Sequence, residues 1–180
     1  VNGIVVMDEA YQPFATHSWL DELQAQPVLH QHVLIMRTLS KFGLAGIRLG
    51  FLMGAERLVA EIDKVRPPYN VNVLTAECAL FALEHKGEFA LQAAQICSER
   101  TRLLAALGAW KNCRAYPSQA NMILLRVADA AQTFTQLKER GILIKNVSGL
   151  HPLLANCIRL TVGTPDENTA MLAALEAVWA

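Results

Sequence analysis

Residues 32–54, HVLIMRTLSKFGLAGIRLGFLMG, hold two apolar runs on either side of a short glycine-rich loop. The first run, 32–40, opens with a histidine and is then continuously apolar over VLIM, as strands buried in parallel sheets are. The second run, 48–54, follows after too few residues for the crossover of a dozen or more that parallel pairing requires. We therefore predict that these two strands pair antiparallel and that the loop between them presents Lys41.

A third apolar run, GIVVMD at 3–8, lies upstream and ends in Asp8. Between it and the run at 32–40, SWLDEL predicts a short helix with Ser18 as its N-cap. The spacing from Asp8 to Lys41 suits one βαβ unit of about 30 residues. A right-handed crossover then places both strands in one parallel sheet, with Asp8 and Lys41 at its carboxyl edge and Arg48 beside them. Open α/β sheets bind ligands at that edge.

The rest of the chain predicts helices and then a compact α+β lobe. RPPYNVN at 66–72 interrupts the pattern, and a long helical periodicity follows it. We divide the chain into residues 1–70, a helical interdomain segment at 71–110, and a small domain at 111–180. The elements predicted in the small domain are strands at 121–127, 142–145 and 157–162, a helix at 129–140, and a last helix with Thr164 as N-cap, Pro165 at N1 and Glu167 at N3.

Composition excludes several classes of protein. The 180 residues carry a formal net charge of zero with scattered basic residues, which argues against a nucleic-acid partner. No apolar run approaches the ~20 residues that span a bilayer, so no membrane partner is expected. Four separated cysteines predict reduced thiols in a cytoplasmic protein, and no cluster predicts a metal site. Because the chain begins inside a predicted strand, we expect it to be the C-terminal part of a longer protein.

The polar residues at the predicted sheet edge suit one kind of cofactor. An amine such as Lys41 can form a Schiff base with an aldehyde. Arg48 can clamp a phosphate through its planar fork, and Asp8 can pair with a protonated ring nitrogen. Further donors at the same rim are Tyr11, Thr38 and Ser40. An imine-forming lysine, a carboxylate for a pyridinium and a phosphate clamp are together what pyridoxal 5'-phosphate requires.

Five motifs carry a family resemblance, namely MDEAY (7–11), TLSKFGLAGIRLGF (38–51), RPPYNVN (66–72), YPSQANMILLR (116–126) and NCIRLTVGT (156–164). With them the chain resembles the fold-type I pyridoxal-phosphate-dependent aminotransferases. The resemblance implies an α/β fold: the C-terminal part of the family's large domain, a mostly parallel sheet with one antiparallel strand, followed by a small α+β domain. It also implies a homodimer.

The resemblance further implies a role for each candidate residue. Lys41 would bind the cofactor covalently and then act as the base in a 1,3-proton shift. Asp8 would pair with the pyridinium nitrogen and Tyr11 with the phenolic oxygen. The cofactor phosphate would be held by Ser40 and Arg48, with Thr38 as a weaker candidate.

Three further residues are implied to face the substrate. Arg159 corresponds to the family's substrate-anion arginine. Lys145 lies where some members carry a second anion-binding arginine, and lysine keeps the charge but not the fork. Asn70 would lie near the cleft, although a turn-forming role suits it equally.

The closest resemblance is to members that transfer the amino group of glutamate to imidazole-acetol phosphate. The products are 2-oxoglutarate and histidinol phosphate. We expect this chain to be inactive by itself, because the family's N-terminal portion completes the pocket. The alternatives are a threonine-phosphate decarboxylase, a broad-range aromatic aminotransferase, and a non-catalytic aminotransferase-like effector domain of a transcription regulator.

Overall fold

A computed structural model describes residues 2–179 of the chain. These residues form two compact units that divide between Ala93 and Ala94. Within residues 2–179, no helix has the length and apolar character needed to cross a membrane.

The first unit is built on a three-stranded sheet with the order β1-β2-β3. Its strands are β1 (Val5–Asp8), β2 (Val33–Thr38) and β3 (Gly50–Gly54). β1 pairs parallel with β2, and β2 pairs antiparallel with β3, so that Thr38 lies opposite Gly50. The predicted topology of a parallel pair with one antiparallel neighbour is confirmed.

Helices follow the strands of this unit. They are α1 (Trp19–Ala25), α2 (Glu56–Asp63), α3 (Val73–Glu84) and α4 (Lys86–Gly108), the last of which continues into the second unit. Ser18 caps α1 as predicted, because its Oγ accepts a hydrogen bond from the Leu20 N–H at 2.9 Å. Single-turn 3₁₀ helices lie at Gln12–Phe14 and Ala45–Ile47.

The second unit packs helices on a four-stranded antiparallel sheet with the order β4-β5-β7-β6. The strands are β4 (Cys113–Ala115), β5 (Met122–Val127), β6 (Lys145–Asn146) and β7 (Cys157–Thr161), and the helices are α5 (Ala130–Glu139) and α6 (Pro165–Trp179). Its core includes Leu103, Leu107, Ile123, Leu125, Ile158, Leu160 and Leu175, all fully buried. This apolar layer between helices and sheet accounts for the α+β lobe expected from the sequence.

The strand predicted at 142–145 is wrong in extent, since β6 contains only Lys145 and Asn146. The cause is the end of α5. Gly141, with φ +78°, donates its N–H to the Lys138 carbonyl, and the Ile142 N–H donates to the Leu137 carbonyl at 2.9 Å. These residues complete a helix C-cap and are therefore unavailable for strand pairing.

The start of α6 matches its predicted capping box. The Thr164 N–H donates to Glu167 Oε2 at 2.8 Å, and the Glu167 N–H donates to Thr164 Oγ1 at 3.4 Å. The hydrogen bond from the Thr164 N–H is the largest cause of a lowered pKa at Glu167, and the bond from the Thr164 hydroxyl lowers this pKa further. The chain thus enters α6 with both ends of the box satisfied.

Candidate active site

The carboxyl edge of the first sheet collects the predicted polar residues. Asp8 is the last residue of β1, and Lys41 follows the end of β2 by three residues. The Glu9 N–H donates to the Met36 carbonyl at 2.8 Å, which extends the parallel pairing past Asp8. Both strands therefore end together and deliver their following loops to one edge.

Lys41 and Tyr11 meet at this edge. The Lys41 Nζ lies 4.9 Å from the centroid of the Tyr11 ring, and both residues are partly buried. This distance is that of a cation–π contact, which holds an ammonium group over the face of a phenol. The structure thus brings together two residues that are 30 positions apart in the sequence and that were both predicted to face the cofactor.

Asp8 is exposed, and one of its oxygens is used in the turn that leads to Tyr11. Its Oδ1 accepts a hydrogen bond from the Ala10 N–H at 3.0 Å. This local bond is typical of an Asx turn and orients the carboxylate relative to the chain that follows. Tyr11 directly precedes the 3₁₀ helix that begins at Gln12.

Thr38 and Ser40 have different roles in the loop that carries Lys41. The Thr38 hydroxyl donates to the Leu49 carbonyl at 3.2 Å and accepts from the Ser40 N–H at 3.0 Å. It therefore ties the two ends of the loop together. The Ser40 hydroxyl has no hydrogen-bond partner within residues 2–179 and can serve a ligand.

Arg48 lies at the opposite end of the loop in a left-handed conformation, with φ 54°. A side chain in this region costs about 1–2 kcal/mol. The guanidinium is exposed, and within the described residues its one hydrogen bond is a long one, from Nη1 to the Ala45 carbonyl at 3.5 Å. Its planar fork is therefore free to bind an anion.

Gly43 shapes the middle of the loop. Its φ is +90°, and a Cβ at this position would lie 3.2 Å from the ring of Phe89. The neighbouring Phe42 packs on the same ring, with centroids 4.8 Å apart. Glycine is thus required both by the backbone conformation and by the close approach of the loop to the first turn of α4.

A polar network that the sequence patterns did not predict lies next to this edge. Glu9 accepts two hydrogen bonds from Arg37 and is also bonded to Ser18 and to the backbone of Trp19. A signal was present, because a charged residue inside an otherwise apolar strand needs a partner. Arg37 lies within such a strand, and Glu9 follows the adjacent one.

Asn70 makes its contact within its own turn. Its Oδ1 accepts a hydrogen bond from Arg66 Nη1 at 2.9 Å, and the residue is exposed. Its neighbour Tyr69 has φ 57°, so the segment bends sharply here. This geometry fits the turn-forming alternative considered from the sequence.

The two substrate-facing candidates of the second unit are cross-strand neighbours. Lys145 on β6 lies opposite Arg159 on β7. The Arg159 Nε is buried and has no hydrogen-bond partner within residues 2–179. Like charges at opposed positions destabilise a sheet, and a buried donor without a partner requires an explanation. An anionic ligand would neutralise the like charges of Lys145 and Arg159 and would accept a hydrogen bond from the Arg159 Nε.

Comparison with known proteins assigns the class. The family model for aminotransferase class I and II matches residues 1–175. The chain belongs to this family, and its fold is that of the fold-type I enzymes that depend on pyridoxal phosphate.

Particular relatives are named histidinol-phosphate aminotransferase. The protein of that name from Methylibium petroleiphilum is 65% identical over 98% of this chain, and the one from Paracidovorax citrulli is 62% identical over 97%. The chain covers 46% and 48% of these two proteins, so it spans about half the length of the curated relatives it matches. Their names favour neither the decarboxylase nor the regulator considered from the sequence.

Solved structures share the fold. The histidinol-phosphate aminotransferase from Clostridium acetobutylicum superposes with a TM-score of 0.84 at 23% identity, covering 97% of this chain and 54% of that one. The enzyme of the same name from Sinorhizobium meliloti, solved in complex with pyridoxal 5'-phosphate, gives a TM-score of 0.77 at 24% identity, covering 97% and 48%. At these identities the likeness establishes the architecture.

Proposed function

We propose that this chain supplies the lysine-bearing part of an aminotransferase that uses pyridoxal 5'-phosphate. The reaction would transfer the amino group of glutamate to imidazole-acetol phosphate, giving 2-oxoglutarate and histidinol phosphate. The observation that carries the proposal is the contact of the Lys41 amine with Tyr11 at 4.9 Å, at the edge where Asp8 ends β1. The names of the relatives support the choice of substrates.

The residues at this edge fit the cofactor. Asp8 would pair with the ring nitrogen and Tyr11 with the phenolic oxygen. Ser40 and Arg48 would hold the phosphate, which the partnerless Ser40 hydroxyl and the exposed guanidinium support. Thr38 would support them indirectly, because its hydroxyl is used within the loop.

The chemistry follows from these roles. When bound, the cofactor supplies an electron sink for the carbanion that forms at the substrate α-carbon. Lys41 Nζ would be the base that removes the proton from that carbon. Tyr11 would orient the amine, and Asp8 would keep a proton on the ring nitrogen of the cofactor.

The anionic ends of the substrate are assigned to the second unit. Arg159 would bind the carboxylate of glutamate or 2-oxoglutarate, and also the phosphate of histidinol phosphate. The buried, partnerless Nε of Arg159 and the cation opposite it support this assignment. Lys145 would add charge without the bidentate geometry of an arginine. Asn70, bonded to Arg66, would shape the turn near the cleft.

We further propose that the full-length protein is a cytoplasmic homodimer. Helix α3 carries apolar residues on several faces and exposes Leu74 and Phe81, at 78% and 60%. Helices of this kind are normally buried. Burial against a partner subunit would remove this surface from water.

Substituting Lys41 tests the proposed function. In the full-length protein, Lys41→Ala should lower the glutamate-dependent formation of histidinol phosphate by at least ~10²-fold, the contribution of a positioned base. Lys64→Ala, at an exposed lysine paired with Glu61, is the matched control and should retain activity. Full activity in Lys41→Ala, or release of carbon dioxide from threonine phosphate by the wild type, would contradict the proposal.

A further inference from the structure

The carboxylate of Glu9 is held by both of its oxygens. Oε2 accepts hydrogen bonds from Arg37 Nε at 3.1 Å and from Arg37 Nη2 at 2.9 Å. Oε1 accepts the Trp19 N–H at 2.5 Å, and the Ser18 hydroxyl lies within 3.1 Å of both oxygens. The side chains of Glu9 and Arg37 are only 10% and 21% exposed. Charge-assisted hydrogen bonds in such partial burial are strong and directional.

The backbone of Glu9 is also fixed. Its N–H donates to the Met36 carbonyl at 2.8 Å, and its carbonyl accepts from the Gln12 N–H at 3.0 Å. Glu9 thus lies between Asp8 and Tyr11 with its side chain, N–H and carbonyl all engaged. These bonds anchor the segment that runs from the end of β1 to Tyr11.

The other partner, Arg37, lies on the strand that leads to Lys41. It directly precedes Thr38, whose hydroxyl ties Leu49 and Ser40 together. One ion pair therefore links the segment that carries Tyr11 to the segment that carries Lys41. Within residues 2–179, no hydrogen bond or ion pair joins Glu9 or Arg37 to the Lys41 amine.

We infer that the Glu9–Arg37 pair sets the position of the Lys41 amine over the Tyr11 ring. Both are positioning residues, acting through the ends of β1 and β2. Where it concerns cofactor binding, the inference rests on the proposed function. The position of the amine itself can be measured without cofactor.

The test is pH-controlled acetylation of the cofactor-free, full-length protein with acetic anhydride, followed by mass-spectrometric mapping of each lysine. The variants are Glu9→Gln, which removes the charge, and Arg37→Lys, which keeps the charge but loses the fork. Glu99→Gln is the matched control, because Glu99 also accepts a forked pair of bonds from an arginine, Arg102, in the second unit. The melting temperature and the dissociation constant of pyridoxal phosphate are measured in parallel.

In Glu9→Gln, the labelling rate of Lys41 relative to exposed Lys64 should rise about two- to fivefold, the equivalent of losing one partly exposed cation–π contact. Arg37→Lys should give a smaller change in the same direction. Glu99→Gln should lower the melting temperature while leaving the ratio unchanged. Weaker pyridoxal phosphate binding should accompany the rise in Lys41 labelling.

A lower melting temperature with an unchanged Lys41 to Lys64 ratio in Glu9→Gln would overturn the inference, since the pair would then be purely structural. If Glu9→Gln does not fold, an unchanged ratio in folded Arg37→Lys has the same meaning. A changed ratio in a protein whose wild type does not bind pyridoxal phosphate would instead refute the proposed function and leave the positioning role intact.

Discussion

At the scale of single residues, the loop after β2 combines a strained position with a chemically useful side chain. Arg48 has a positive φ, which glycine would adopt without strain. Residues held in strained backbone conformations cluster at functional sites. The phosphate-binding role proposed for the Arg48 guanidinium would give this strain a function.

Substituting Arg48 with glycine should separate stability from binding. Arg48→Gly should raise the melting temperature, because about 1–2 kcal/mol of strain is relieved. It should weaken pyridoxal phosphate binding roughly tenfold or more, the worth of a charge-assisted hydrogen bond. Asn156→Gly, at φ 55° in the second unit, is the control for the backbone effect alone. Unchanged cofactor affinity in Arg48→Gly, measured by titration, would contradict the phosphate role.

Gly43 makes a purely steric prediction. Gly43→Ala should destabilise the protein by about 1–2 kcal/mol or more, because the new Cβ meets the Phe89 ring at 3.2 Å and the φ is +90°. Gly87→Ala is the control, since a Cβ there meets nothing within 4 Å and alanine favours the helix. The measurement is thermal melting of Gly43→Ala and Gly87→Ala. Equal melting temperatures of the two variants would contradict the prediction, since the loop would then have moved away from α4.

At the scale of elements, helices begin where a side chain satisfies the first free N–H groups. Asn72 caps α3, with its Oδ1 accepting from the Thr75 N–H at 2.8 Å, and Asp129 caps α5 in the same way at 2.9 Å. The cap of α3, Asn72, is the last residue of the RPPYNVN segment. The segment therefore lies between the end of α2 and the start of α3 and supplies the cap of α3.

Removing the cap of α3 should have a defined cost. Asn72→Ala should destabilise α3 by about 1 kcal/mol, and Asn72→Ser, which can still cap, should recover most of the loss. Hydrogen exchange of the first-turn amides of α3 is the measurement. Equal exchange in the two variants would show that the side-chain bond contributes nothing.

A second element-scale feature is the polar network that joins α4 to α6. Glu99 accepts hydrogen bonds from Arg102 and from the buried Asn168 amide, the latter at 2.8 Å. The hydrogen bond from Arg102 is the largest cause of a lowered pKa at Glu99, and the bond from Asn168 lowers this pKa further. A carboxyl group whose pKa is lower in the folded protein stabilises the fold at pH values above its unfolded-state pKa. This stability is lost as the pH falls through its folded-state pKa.

Acid unfolding should therefore respond to Glu99. Wild-type stability should begin to fall as the pH drops below about 4.3, the ordinary glutamate value. Glu99→Gln should be less stable at pH 7 and show a flatter decline in that acid range. Glu176→Gln, which removes an exposed glutamate, is the control and should melt like the wild type at pH 7. Parallel curves for the wild type and Glu99→Gln would refute this assignment.

At the scale of the whole molecule, the two units differ in how well they bury their apolar residues. Among residues 2–179, 16 of the 23 buried core residues lie in the second unit. Of the 20 large apolar residues that are exposed, 17 lie in the first. The partner subunit proposed above would remove such exposed apolar surface from water.

The two parts should differ when expressed separately. Residues 86–180, which keep α4 whole, should unfold cooperatively, because their core cluster is continuous. Residues 1–85 should bind hydrophobic dye and lack a sharp transition. Circular dichroism melting and dye fluorescence test both statements, and a cooperative transition in residues 1–85 would contradict the second.

Local rules were sufficient for much of this architecture. Loop length and crossover handedness predicted the parallel and antiparallel pairings of β1, β2 and β3, and therefore the edge shared by Asp8 and Lys41. Capping patterns predicted the starts of α1 and α6, because a cap involves residues only two or three positions apart. The division at 1–70, 71–110 and 111–180, and the roles of the site residues, remain predictions.

Other features depended on the folded chain. The partners Glu9 and Arg37 are 28 positions apart, and Glu99 and Asn168 are 69 apart, so no local pattern pairs them. The short β6 and the left-handed Arg48 likewise arise from neighbouring structure. The physical reason is the same in each case: local preferences act over one helical turn or one loop, whereas a buried charge obtains its partner only when distant segments pack together.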